Sequence, residues 1–312
     1  MQPSFESEQR SSASGPAQQI RRRHSHNNQD WRYNLEHMSN GQLAFLGGGN
    51  MGRALIGGLL RRGTRPEHIS VGESYAGARD SLAADFGIQA TEDNAAAVEA
   101  ASVVVVAVKP QIAGSVLSPL QPLFQRTRPL VISIAAGIRI AALETWCGAG
   151  VPVVRAMPNR PALVGAGATG LFAPANVSNS QRGIAEKVMQ SVGEVVWVAS
   201  EDHLDVVTAL SGSGPAYFFL LAELLTQGAT DLGLEPAAAR RLAIATLNGA
   251  GQLANVGDGD LAKMRAEVTS KGGTTEAAVK SLESADLRGI VARALEAATR
   301  RSHQLAEQFG AS

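Results

Sequence analysis

Three glycines stand at fixed spacing in Gly47-Gly48-Gly49-Asn50-Met51-Gly52, directly after the apolar run Leu43–Leu46 and before a stretch rich in Ala, Leu and Ile. A G-x-G-x-x-G turn between a strand and a helix can hold the pyrophosphate of a dinucleotide. Gly47 permits the tight turn, Gly49 lets the pyrophosphate reach the backbone, and Gly52 lets the helix lie against the sheet. The amides of Asn50 and Met51 then sit at a helix N-terminus, where free N–H groups attract an anion. Glycine-rich turns are common, so the pattern gains weight from its context: a strand before, a helix after, and another strand about 20 residues on.

Two further segments fall where such a ligand would lie. The second strand ends in Val71-Gly72-Glu73-Ser74, followed by Tyr75 to Arg79. Glu73 at this place can accept from a ribose 2′-OH, which favours NADH, whereas Ser74 and Arg79 can hold a 2′-phosphate, which favours NADPH. The residues leave that choice open. Val108-Lys109-Pro110 ends another apolar run, at the rim where open sheets bind ligands. The alternative for Lys109 is an ordinary solvated strand-to-helix turn.

The elements that must position these residues alternate. Apolar runs read as strands over Leu43–Leu46, Ile69–Val71, Val103–Val108, Leu130–Ile134, Val151–Ala156 and Val195–Val198. Helical stretches separate them at Met51–Arg62, Ala76–Phe86, Ala95–Ala101, Ile112–Phe124, Ile140–Trp146 and Gln181–Val192. Strands alternating with helices imply a doubly wound parallel sheet with right-handed crossovers. Val103 to Val106 carries no polar alternation, so both faces of that strand should be covered. After Ser200 the pattern becomes helical: Asp202–Leu210, a break at Ser211 to Pro215, then Ala216–Leu232, Pro236–Asn255, Asp260–Val268, Thr274–Leu282 and Leu287–Phe309. The expected organisation is a disordered tail over 1–40, a Rossmann-type α/β domain over 41–200 and an all-α domain over 201–312. Ala-rich helices with few aromatic residues pack closely, and a subunit interface is their natural use.

Composition limits the rest. The chain has 312 residues, 28 Lys and Arg against 28 Asp and Glu, and one cysteine. Charge balance and only 4% aromatic residues argue against a nucleic-acid surface. A single cysteine, Cys147, excludes an intramolecular disulfide, and its setting after Trp146 suggests a buried small hydrophobe. His37 and His203 stand apart from any triad or metal spacing, and with no H-E-x-x-H or C-x-x-C the expectation is no metal. The apolar run Pro215 to Leu225, interrupted by Glu223, falls short of the ~20 residues a bilayer needs, so no membrane span is expected. The basic run Arg21 to His24 reads as part of a polar extension, with Met38 as an alternative start. Glu6 and Glu8 argue against a transit peptide, and the lack of a hydrophobic signal core points to the cytoplasm.

Three more segments are too specific to arise from packing: Arg155 to Val164 with Met157-Pro158-Asn159, Ser211-Gly212-Ser213-Gly214-Pro215-Ala216-Tyr217, and Val268-Thr269-Ser270-Lys271-Gly272-Gly273-Thr274-Thr275. With the glycine loop and Val108 to Gln111, they resemble pyrroline-5-carboxylate reductase in order and spacing over about residues 42–310. The resemblance implies reduction of L-1-pyrroline-5-carboxylate to L-proline, the last step of proline biosynthesis, with NADPH or NADH. It also implies a Rossmann domain followed by a helical domain that interlocks with a second subunit, with larger rings of such dimers common. Met157 and Asn159 would then lie by the nicotinamide. Val268, Gly272, Gly273, Thr274 and Thr275 would hold the substrate, their free amides meeting its carboxylate and the Thr275 hydroxyl its ring nitrogen. Two residues depart from the family pattern. Lys271 stands where proline is usual, and Arg160 where a small threonine is usual.

Other readings make different demands on the sequence. A hydroxy-acid reductase of similar build would generally need a Lys base at the start of the helical domain, and Leu204 to Tyr217 contains none. A non-catalytic NAD(P)-binding regulator would keep Gly47 to Gly52 and lose the Gly272 to Thr275 loop, which is present.

Overall fold

The computed structural model describes residues 41–256 and 259–310; the expected tail over 1–40, including His37 and Met38, lies outside them. Eight strands form one sheet: β1 (Leu43–Leu46), β2 (Ile69–Gly72), β3 (Gln89–Thr91), β4 (Val103–Val106), β5 (Leu130–Ser133), β6 (Val153–Met157), β7 (Gly167–Phe172) and β8 (Gly193–Trp197). Their order is β3-β2-β1-β4-β5-β6-β7-β8. Neighbours from β3 to β6 run parallel, β6 and β7 run antiparallel, and β7 and β8 run parallel again. The fold is therefore Rossmann-type, with a final antiparallel turn that strand alternation alone did not predict.

Each strand's alternate side chains feed opposite layers. Leu43, Phe45, Val103, Val105, Leu130 and Ile132 join one buried cluster, with Leu55, Ile56 and Leu59 of α1 (Asn50–Arg61), Leu82 of α2 (Ala76–Phe86) and Val188 of α7 (Asn179–Gln190). Ala44, Leu46, Val104, Val106 and Val131 join the other. That layer is covered from α3 (Asn94–Val98), α4 (Pro110–Leu117), α5 (Gln121–Thr127) and α6 (Ile140–Cys147) by Val98, Leu117, Phe124 and Leu143. The four β4 valines are all fully buried, as a strand without polar alternation requires. Each such side chain contributes roughly 1.5–3 kcal/mol on burial. Cys147 belongs to the second cluster, and burial pushes its thiol up to about 12.

Some boundaries differ from the sequence reading. The single helix expected over Ile112–Phe124 is divided into α4, a 3-10 turn at Ser118–Leu120, and α5. Pro119 and Pro122 lack the N–H groups a continuous helix needs.

The larger difference lies at Ser211 to Pro215. No break occurs there. From α8 (His203–Val207) the chain widens into a π-helical turn, Thr208–Gly212, and runs straight into α9 (Gly214–Asp231). The Ser213 amide reaches back to the Thr208 carbonyl at 2.8 Å. The result is a 29-residue helix, His203–Asp231, long and apolar enough by length and composition to cross a membrane. The expectation that no segment has that length is therefore corrected. Pro215 falls in the first turn of α9, where a missing N–H is tolerated, so it does not interrupt the helix.

The remaining helices are α10 (Pro236–Val256), α11 (Leu261–Glu267), α12 (Thr274–Ser284) and α13 (Leu287–Gly310). α9 packs along α10, and α13 packs against α8 and the π-helical turn. Phe218, Phe219, Leu224, Leu225, Leu242, Ile244 and Leu253 on α9 and α10 are all more than half exposed in the single chain.

Candidate active site

The strand order places β1 between β2 and β4, so crossovers leave in opposite directions on its two sides. A crevice opens at such a switch point, at the carboxyl ends of the strands. Gly47 follows β1 with φ +99° and donates its amide to the Gly72 carbonyl at 2.8 Å. A Cβ there would lie 2.9 Å from the Ala107 backbone, and one at Gly52 would lie 2.7 Å from the Gly47 carbonyl oxygen. The turn therefore closes only with hydrogens at both places. Gly49 is different: it caps α1, is exposed, and nothing lies within 4 Å of a Cβ built on it. Asn50 and Met51 follow in the first turn, with no acidic residue beside them. This open backbone cradle at a 12-residue helix fits an anionic pyrophosphate.

Glu73, just beyond β2, turns back onto the cradle. One carboxylate oxygen accepts from the Gly48 amide and the other from the Tyr75 amide, both at 2.9 Å. Arg79 donates to the Glu73 and Ser74 carbonyls at 2.9 and 2.8 Å and pairs with Glu92 at 3.4 Å. Ser74 is exposed beside them. On the other flank, a Cβ at Gly47 would come within 3.0 Å of Val108. Lys109 caps α4 from an exposed position, and Pro110 opens that helix. Gly47, Gly49, Gly52, Glu73, Val108 and Lys109 are thus gathered at one rim.

Met157 ends β6, which runs parallel to β1 through β4 and β5 and so points its carboxyl end to the same rim. Its methyl group lies 3.0 Å from where a Cβ on Gly212 would sit, against the π-helical turn. Asn159 is buried, and both ends of its amide are engaged: Oδ1 accepts from the Ala168 amide at 2.8 Å and Nδ2 donates to the Ser211 carbonyl at 2.9 Å. Its side chain therefore fastens the π-helical turn to β7 rather than presenting a free polar group. Tyr217 adds a second fastening, donating its hydroxyl to the Ala209 carbonyl at 3.0 Å. Arg160 is exposed and makes no hydrogen bond or ion pair with a described residue.

The Val268–Thr275 segment lies in the helical region, outside the rim cluster. Val268 is exposed at the end of α11. Ser270 to Gly273 form a turn, closed by the Gly273 amide on the Ser270 carbonyl at 3.0 Å, with Gly272 at φ +74°. The Gly272 amide is held by the Glu276 carboxylate at 2.7 Å. Gly272 and Gly273 thus spend their amides inside the loop, contrary to the expectation that both are free for a ligand. The exposed Thr274 and Thr275 open α12 without a side-chain cap, and their hydroxyls bond to no described residue.

Two family patterns match the chain. "NADP oxidoreductase coenzyme F420-dependent" covers residues 42–137, and "Pyrroline-5-carboxylate reductase dimerisation" covers 201–305. A pyrroline-5-carboxylate reductase of Pseudomonas aeruginosa is 45% identical over 273 residues, spanning 88% of this chain and 100% of that protein. The chain belongs to the pyrroline-5-carboxylate reductase family. Among solved structures, a pyrroline-5-carboxylate reductase from Coxiella burnetii is 42% identical with a TM-score of 0.83, covering 85% of this chain and 98% of that one. A pyrroline carboxylate reductase from Plasmodium falciparum, solved with NADP bound, is 30% identical with a TM-score of 0.72 over 85% and 98% of the two chains.

A charge network that spacing did not reveal joins the sheet to the helical region. The buried Arg155 pairs with Glu201 at 2.5 Å, and the same Glu201 oxygen accepts the Ile140 amide at 2.7 Å. Arg139 pairs with Asp202 at 2.5 Å and with the buried Asp205 at 3.5 Å, and Ser302 of α13 donates to Asp205 at 2.6 Å. The Arg139 hydrogen bond holds the Asp202 carboxyl below the usual carboxylate range and raises the guanidinium in return. Ligand atoms of Asp202, Asp205 and His303 lie within 4.8 Å of one another, but Arg139 already answers both carboxylates. Only the basic residues at 139 and 155 and the Glu201-Asp202 pair were visible in the sequence, with nothing to show that they meet.

Proposed function

We propose that this chain reduces L-1-pyrroline-5-carboxylate to L-proline, with the glycine cradle, the Met157 rim and the Thr274–Thr275 helix opening as its working parts. The observation that carries this reading is the end-to-end relation to a pyrroline-5-carboxylate reductase, which leaves no segment of that protein without a counterpart here. The residues divide as residues 41–200 for the dinucleotide and 201–312 for substrate and self-association. Bound NAD(P)H supplies the hydride. The imine carbon accepts it, the C=N double bond becomes single, and the ring nitrogen takes a proton.

The chain's own part is position and electrostatics. Asn50 and Met51 present amides to the pyrophosphate, and Val108, Lys109 and Pro110 wall the rim. Met157 lies beside the nicotinamide, while Asn159 acts one step removed by fixing the turn that Met157 packs against. The amides of Thr274 and Thr275 meet the substrate carboxylate at the positive end of α12. The Thr275 hydroxyl bonds the ring nitrogen, and Gly272 and Gly273 shape the turn that leads to it. A hydroxyl suits an imine that is to be protonated, because it imposes no fixed charge.

The exposed apolar faces of α9 and α10 support self-association through the helical region. That use explains a long apolar helix without a membrane.

The test is loss of nicotinamide absorbance with L-1-pyrroline-5-carboxylate and either reduced cofactor. No oxidation at micromolar enzyme with either cofactor would overturn the reading. Thr275→Val keeps the shape and removes the hydroxyl. Its kcat/KM is expected to fall about tenfold to a hundredfold, on the order of 1.4–2.7 kcal/mol, with NAD(P)H binding unchanged. An unaltered kcat/KM would remove Thr275 from the mechanism.

The Lys271 departure now has a geometry. Ser270 to Gly273 have the positive φ at the third residue that defines a type II turn, which puts Lys271 at the second, where proline's fixed φ fits. Lys271→Pro is expected to keep kcat/KM within tenfold and to raise stability by about 0.4–1 kcal/mol through the unfolded chain. Thermal unfolding and the same assay check both.

A further inference from the structure

We propose that Glu73 makes this enzyme select NADH over NADPH, an inference that rests on the dinucleotide reading above. The glycine cradle fixes where the pyrophosphate lies, at the opening of α1. The adenosine ribose then lies over the end of β2, the strand beside β1 on the cradle's other flank. Glu73 is the residue at that end. Its carboxylate does not swing out to solvent: one oxygen is tied to the Gly48 amide within the cradle and the other to the Tyr75 amide. These two bonds hold a negative charge against the ribose site, with lone pairs left to accept from a 2′-OH and a 3′-OH.

A 2′-phosphate needs the opposite surroundings. Between Glu73 and Arg79 the sole cation is Arg79. Its guanidinium donates through Nη1 to the Glu73 and Ser74 carbonyls and through Nη2 to Glu92, so three of its five N–H groups are committed to the loop and to a carboxylate. Arg53, on the first turns of α1, is likewise paired with Asp85 and lies over the Phe86 ring. Lys109 sits beyond β4, on the far side of β1 from Glu73. A phosphate entering here meets a fixed carboxylate and competes with Glu92 for an arginine already tied to the loop.

The experiment is equilibrium titration of nicotinamide fluorescence with NADH and with NADPH, run without substrate on the intact enzyme, its Glu73→Gln variant and its Arg79→Ala variant. The intact enzyme is expected to bind NADH at least tenfold tighter than NADPH. Glu73→Gln keeps an acceptor for a loop amide but removes the charge, and the preference should shrink to less than about threefold, with NADPH binding improved. A purely structural role for Glu73 would weaken both ligands alike and leave the ratio standing, which would overturn the inference. Equal or tighter NADPH binding by the intact enzyme would overturn it too, as would loss of NADPH binding in Arg79→Ala with NADH unaffected. Failure to bind either cofactor would instead remove the dinucleotide reading itself. Steady-state kcat/KM for both cofactors should follow the same ratios.

Discussion

Gly47→Ala is expected to weaken NAD(P)H binding by at least a hundredfold, about 2.7 kcal/mol, and to lower stability as well. Two effects combine at this position. A side chain at φ +99° costs on the order of 1–3 kcal/mol. The new Cβ would also lie 2.9 Å from the Ala107 carbonyl carbon and oxygen, backbone atoms of the segment leaving β4 that cannot rotate away. The turn must therefore open, carrying off the Gly47 amide from Gly72 and the alignment of the α1 N-terminus. Gly49→Ala is the paired control. Gly49 has φ −68° and free space around its Cβ position, so the variant should fold normally. Its methyl group then occupies the path by which a pyrophosphate approaches. Weaker binding with unchanged melting at residue 49, beside weaker binding with lower melting at residue 47, is the expected pattern. Wild-type affinity in both variants would show that the cradle does not hold the cofactor.

Arg155→Leu carries the second large effect. The guanidinium sits among buried atoms of β6, and its partner Glu201 is itself largely enclosed. Removing one member leaves the other without its counter-charge, which costs about 3–5 kcal/mol for a buried pair. Because Glu201 keeps some access to water and one bond from the Ile140 amide, the lower end, about 3 kcal/mol, is expected. For a chain of this size that lowers the melting temperature by roughly 6–12 °C. The double variant Arg155→Leu with Glu201→Leu should recover much of the loss, since an apolar pair can replace a buried ion pair. A single variant melting within about 2 °C of wild type would show that the pair adds nothing. The pair also joins the strand carrying Met157 to the start of the long helix, so kcat should fall with stability in the single variant and return in the double.

Much of the rim could be read from the chain itself. Leu43–Leu46 is a strand at the residues its apolar run names, because a strand buried on both faces needs no polar alternation. Gly47 and Gly52 are legible for a similar reason: neither has room for a Cβ, so the demand of the turn is written in residue type, and Gly49 completes the spacing. The two unforeseen strands lack such marks. β3 is Gln-Ala-Thr, three residues at the sheet edge, and β7 is Gly-Ala-Thr-Gly-Leu-Phe, whose glycines disguise a strand. β7 is a strand because its backbone pairs with β6 and β8, a partnership no local pattern encodes.

The α/β class, the glycine cradle, the helical second half and the family can all be read from the sequence, since each rests on residue types at short range. Tertiary structure alone decided that Asn159 and Tyr217 fasten a π-helical turn, that Arg155 meets Glu201 across 46 residues, and that Glu73 folds onto Gly48 across 25. It also decided that Ser211 to Pro215 continue a helix instead of ending one. In each case the local sequence leaves the partner unspecified, and the group that completes the contact arrives from another part of the chain.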